Sequence, residues 1–219
     1  MSVVFNIQTI KADLQDFQRD FEQINNRIAM RREDVTDTMI AQIVDAYRFL
    51  NDLLSRGMDL FTPAGLNSLL EMNHIVLCGT DSTTRRQYYH HLNETRKSFL
   101  KRIKPIKEWV LRKRDNGNPH KLAAGFYSRM LSQPQLFLEG NHRTGNILLN
   151  YLLVSKGAEP FVISPATAQA YLDISGDIKF SNKENSLDAN VKLPGHRKRF
   201  RQFLEENCSS RYVIDGERV

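Results

Sequence analysis

Apolar residues recur at helical spacing along almost the whole chain, and that period constrains the fold more than any other feature of its 219 residues. Ile7, Ile10, Leu14, Phe17, Phe21, Ile24 and Ile28 alternate three- and four-residue steps, which predicts one long helix with a narrow apolar stripe. The stripe suits packing within the chain, or a partner helix from a second copy in a homodimer. Ile40, Ile43, Val44, Tyr47, Leu50, Leu53 and Leu54 line a second helix that Gly57 is placed to stop. The short link at Glu33-Asp34 makes these two a helical hairpin.

Further helices are expected from Pro63 towards Val76, from Ser82 to about Leu100, and from Pro105 onward, where proline suits a first helical turn. Asp115-Asn116-Gly117 reads as a turn. Asn118-Pro119 then caps a helix carrying Leu122, Phe126 and Met130. Arg143 to Lys156 forms the next, Pro160 to Ile163 a short extended piece, and Ala166 to Leu172 a short helix. Residues 175–192 read as loop, Pro194 to Asn207 as the last helix, and residues 208–219 as a loose tail. With only 11 Gly and 7 Pro, many-turned β architectures are disfavoured, and the class expected is all-α.

Charge is concentrated. Nine Lys/Arg between Arg96 and Arg114 face a single acid, Glu108, so this window exceeds the whole-chain net charge of +6. A smaller cluster, His196-Arg197-Lys198-Arg199 with Arg201, lies near the C-terminus. Such patches attract phosphates or acidic protein partners; nucleic acid is the weakest of these readings, because basic patches are its only support. No apolar run is long enough to span a bilayer, and no basic-then-apolar leader opens the chain, so a cytoplasmic protein without membrane contact is expected. Cys78 and Cys208, far apart and without ligand spacing, are expected as reduced thiols.

One segment carries chemistry: Gln133 to Asn146, QPQLFLEGNHRTGN, a loop running into a helix. Helix N-termini present unpaired amides and a positive dipole end, which together bind anions. Gly140 lets successive N–H groups converge on one oxygen anion, Arg143 on the first turn can clamp a phosphate, and Glu139 is a hard oxygen ligand for Mg²⁺. These residue types in this order describe a nucleotide-phosphate site.

The segment resembles the signature of the Fic and death-on-curing (Fido) family, H-x-F-x-[D/E]-G-N-G-R-x-x-R. Phe137, Glu139, Gly140, Asn141 and Arg143 match it. The resemblance covers about residues 60–165 and implies three parts: an N-terminal helical hairpin at 1–59, a Fic-like helical bundle with its helix–loop–helix motif at 60–165, and a C-terminal helical extension at 166–219 packed on it. Family members typically move AMP from ATP to a protein hydroxyl; others transfer phosphate or phosphocholine. The resemblance further implies ATP and Mg²⁺ as ligands, Glu139 at the metal, Gly140 to Arg143 around the phosphates, and Phe137 buried to fix the loop.

Three positions depart from the signature. The family's histidine, the general base for the attacking hydroxyl, falls on Gln135, and a neutral amide cannot take a proton near pH 7. The second glycine falls on His142, expected as a protonated phosphate contact in preference to a substitute base. The last arginine falls on Asn146, which removes a γ-phosphate ligand. An inhibitory helix pattern of the family, [S/T]-x-x-x-E-[G/N], is loosely matched around Glu71, which is therefore a candidate inhibitory acid. The basic 96–114 region falls where the family carries a flap that pairs main-chain with a target peptide. The leading expectation is an ATP/Mg²⁺-binding protein with impaired AMP transfer. An active AMP or phosphate transferase with another base, and a non-enzymatic interaction module, are the alternatives.

Overall fold

The computed structural model describes residues 3–115 and 117–215; Asn116 of the expected turn and the last four residues lie outside them. Ten α-helices and one two-stranded sheet make an all-α architecture among the described residues. The helices are α1 Ile7–Arg19, α2 Phe21–Asn25, α3 Asp37–Ser55, α4 Pro63–Cys78, α5 Ser82–Gln87, α6 Tyr89–Lys113, α7 Pro119–Leu131, α8 Asn141–Val154, α9 Pro165–Phe180 and α10 Leu193–Asn207. Side-chain caps open several of them: Asn6, Thr36, Thr62 and Asn118 each accept from a backbone N–H three residues on.

The expected first helix is divided at Asp20 and ends at Asn25, with Ile28 buried beyond it in turn structure. Its apolar stripe is buried within the chain, against α3 and α9. Pro105 does not begin a helix. It sits inside the 25-residue α6, on the exposed side, where the lost N–H bond faces solvent. Helix α9 continues to Phe180, eight residues past the expected Leu172, because Ile174 and Ile178 extend its buried face. A π-helical turn, Asp188–Lys192, then leads directly into α10. Residues 158–164 are extended without joining a sheet.

The tail expected to be loose is ordered through residue 215. Strand β2, Val213–Asp215, pairs antiparallel with β1, Val3–Phe5, with Phe5 opposite Val213. Asn51 of α3 holds the Phe5 peptide from both sides, accepting from its N–H at 2.7 Å and donating to its carbonyl at 3.0 Å. Arg211 and Tyr212 converge on Asp13 of α1. One apolar cluster runs from Phe5 and Leu14 through α3, α4, α6, α7 and α8 to Tyr212, crossing the boundaries at 59/60 and 165/166. A second joins α7, α8, α9 and α10 around Phe161, Phe200 and Phe203. No helix among the described residues is long and apolar enough to cross a membrane. Both cysteines are free thiols, and burial pushes Cys208 up to about 12.

Helices α7 and α8 pack closely because Gly145 has no side chain: a Cβ there would lie 3.0 Å from Met130 Sδ and from the Tyr127 ring. Asn150, the polar break in the apolar run of α8, is wholly buried yet satisfied. It bonds the Phe161 N–H (2.8 Å), the Phe161 carbonyl (2.7 Å) and the Tyr47 hydroxyl (2.7 Å). Replacing it by alanine strands two backbone groups without water. Asn150→Ala is therefore expected to lower unfolding stability by about 3 kcal/mol, read as a shifted midpoint in urea denaturation. An unchanged midpoint would show that these bonds are not formed.

Candidate functional site

The loop between α7 and α8 is built around its own side chains. Leu136 and Phe137 are buried, and Phe137 stacks on Phe99 of α6 with ring centroids 5.5 Å apart. Asn141, the first residue of α8, folds its carboxamide back across the loop. It accepts from the Phe137 N–H and donates to the Phe137 carbonyl, both at 2.9 Å. Gly140 sits at φ +73°, where a Cβ would press on Asn73 and Leu77. The Asn73 amide from α4 reaches the Glu139 carbonyl and the Thr144 hydroxyl, each at 3.0 Å. From behind, Lys183 donates to the carbonyls of Arg129, Ser132 and Pro134, and Arg102 to that of Gln135.

This framing leaves the N-terminus of α8 open. Thr144 N–H bonds the Gly140 carbonyl, whereas no bond within the described residues takes the N–H groups of Asn141, His142 and Arg143, and no side chain caps the helix. These three residues line a cavity of about 530 Å³. Its lining includes the apolar Phe17, Phe21, Met39, Ile43 and Val162; the charged groups are Arg31, Arg32, Arg143, Lys179, Glu33 and Glu139. Cations outnumber acids there by two.

The cavity gathers most of the expected site residues: Gln135, Glu139, Gly140, Asn141, His142, Arg143 and Asn146 all line it. Glu139 is exposed, 3.6 Å from His91 Nε2. Arg143 donates to the Val76 carbonyl at the end of α4 (3.0 Å), and burial lowers its pKa. The Gln135 amide donates to the Leu131 carbonyl (3.0 Å) and its oxygen lies 3.4 Å from Asn141 Nδ2. Asn146 accepts from the Tyr47 hydroxyl at 3.3 Å.

Three expectations differ from what is observed. As the fold stands, His142 is neutral and not the protonated group expected: burial first, then the charges of Arg32 and Lys179, push its pKa down to about 3. Its Nδ1 lies 3.3 Å from the Tyr127 hydroxyl, itself 2.8 Å from that of Tyr171, and its Nε2 is buried without a partner. Glu71 does not border the cavity; it is bound to Arg85 at 2.7 Å and lies near His74. The basic 96–114 stretch is helical, so its main chain is already paired and is not open to a peptide strand, and none of it lines the cavity. Two of its cations are committed to structure, Arg102 at the loop and Arg114 on Asp59.

Composition and spacing missed Arg31, Arg32, Glu33 and Lys179, which reach the cavity from the link before α3 and from α9. The Arg31-Arg32 pair was visible as a local charge, but nothing in the chain order places it over α8. No family model, curated protein or solved structure matches the chain.

The lining fits a phosphate-bearing ligand: open amides, surplus cations and three buried polar atoms without partners, Arg32 Nε, His142 Nε2 and Asn146 Nδ2. Glu139 offers the single carboxylate that Mg²⁺ commonly takes from protein when phosphates and water complete its shell.

For His142 the native pKa lies below the ordinary 6.5, so the unfolded chain binds the extra proton between those values. Its contribution to stability is full above about pH 6.5 and is lost as pH falls towards 3. The ring should stay neutral from pH 8 down to about pH 4 when its NMR shifts are followed. A midpoint near 6.5 would contradict the buried placement.

Proposed function

We propose that the chain binds ATP with Mg²⁺ in the cavity at the start of α8, in the manner the Fic resemblance implies, and that its capacity to transfer AMP is impaired. The observation that carries this reading is the open α8 N-terminus beside Arg143 and Glu139 at a cavity whose lining combines surplus cations with apolar side chains. Phosphates suit the amides and cations, and a planar base suits the apolar Phe17, Phe21 and Met39.

The impairment follows from chemistry at Gln135. Its carboxamide has no basic nitrogen, and its NH₂ is already bonded to Leu131. Lacking a general base typically costs a transferase about 10²–10⁴ in rate. His142 is poorly suited to substitute, being buried at Tyr127 with a depressed pKa.

Titration calorimetry of ATP with and without Mg²⁺ tests the reading. Arg143→Ala should weaken binding about tenfold or more, and Glu139→Ala should remove most of the Mg²⁺ dependence. If both variants bind like the parent, the ligand is not held at this loop. Incubation with α-labelled ATP and a protein lysate is expected to give little transfer from the parent and more from Gln135→His. Equal, strong labelling by both would favour a working transferase with another base.

A further inference from the structure

We propose that Arg32, Lys179 and His142 form a polyphosphate subsite, so that the cavity selects nucleoside di- and triphosphates over monophosphates through groups supplied from outside the loop. This rests on the nucleotide reading above and adds to it the source of the charge recognition.

The strap that carries Arg32 is pinned. Its N–H donates to Asn25 Oδ1 at 2.7 Å, its carbonyl accepts from Asn25 Nδ2 at 3.0 Å, and the Ala29 N–H donates to Asp173 of α9 at 3.0 Å. The guanidinium crosses α9 at Gly176, where a Cβ would come within 3.0 Å of it. One terminal nitrogen donates to the Leu172 carbonyl at 3.1 Å, and Nε is left buried without a partner. Lys179 stands one turn further along α9, at the same cavity. Neither cation has a carboxylate within salt-bridge distance among the described residues, although fifteen such pairs form elsewhere.

These two positive charges act on one another and on His142, whose Nε2 is another unpartnered buried atom of the lining, as is Asn146 Nδ2. In the tautomer protonated at Nε2, where Nδ1 accepts from the Tyr127 hydroxyl, that Nε2 is a further donor. Donors and like charges gathered at one place with no acid paired to them are only partly compensated, and a multiply charged anion relieves them. The first residues of α8, Arg143 among them, line the same cavity, so two anion-binding elements lie within it. A ligand with successive phosphates can engage both, whereas a monophosphate can engage only one. Glu33 keeps some acid near Arg143 and Lys179, but none of the three subsite groups is paired with it.

The test is calorimetry of ATP, ADP, AMP and inorganic tripolyphosphate with the parent, Arg32→Gln and Lys179→Met. The parent should bind ATP at least about tenfold more tightly than AMP, and each variant should lose about tenfold or more for ATP and tripolyphosphate while holding AMP within about twofold. Variants that bind ATP and tripolyphosphate like the parent overturn the subsite and leave the nucleotide reading standing. Arg32- and Lys179-dependent binding of tripolyphosphate without any nucleotide binding supports the subsite and overturns the nucleotide reading. No binding of any of the four ligands overturns both. Should Arg32→Gln prove unfolded in a thermal melt, Lys179→Met decides alone, since Lys179 holds no structural hydrogen bond or ion pair among the described residues.

Discussion

The carboxamide of Asn141, bonded in both directions to the Phe137 peptide, is the contact on which the site depends. It turns a loop of irregular backbone into a fixed ring, and it does so from the first residue of α8. The capping position is Gly140, which has no side chain to turn towards the helix's own amides, so the terminus stays open while Asn141 orders the loop. Phe137 stacked on Phe99, Asn73 against the Glu139 carbonyl, and Lys183 on three carbonyls then hold that ring against α4, α6 and α7. The left-handed Gly140 lets the chain pass from ring to helix where any side chain would meet Asn73 and Leu77.

The cavity shows how charge is divided around this frame. Cations come from three segments: Arg31 and Arg32 from the link before α3, Arg143 from α8 and Lys179 from α9. Gathering so much like charge, part-buried at Arg32, Arg143 and Lys179, costs stability unless an anion or dipole answers it. Part of the answer is internal, in carbonyls such as Val76 for Arg143 and Leu172 for Arg32. The remainder is what a phosphate-bearing ligand would supply. His142 fits the same pattern by staying neutral, for a third cation beside Arg32 and Lys179 would add to the repulsion.

Much of this was legible in the residue order. Helical period locates α3, α4, α7, α8 and α10, because each buries one face against the core, and side-chain caps also mark the starts of α3, α4 and α7. The errors have physical causes. Pro105 reads as a helix start by local rules, yet an exposed proline in a long helix gives up only one outward N–H bond, and the buried Phe99, Ile103, Ile106 and Val110 keep the helix continuous. The 175–180 segment, mostly polar, is helical because Ile178 continues the buried face of α9 past Ile174. The tail is ordered by a strand some two hundred residues away. At the site, the loop was readable because its residues are contiguous. Arg32 and Lys179 were not, because only the packing of α9 and the link before α3 brings them to α8, and neither has a spacing to announce it. The fate of His142 likewise depends on Tyr127, Arg32 and Lys179 together.

The most direct measurement is an amide NMR titration of the protein with ATP and Mg²⁺, followed residue by residue. Phosphates seated at the start of α8 predict the largest downfield shifts at the N–H groups of Asn141, His142 and Arg143, with smaller changes in the link before α3. Unmoved amides at those three positions, with shifts instead confined to the exposed basic face of α6, would contradict the account.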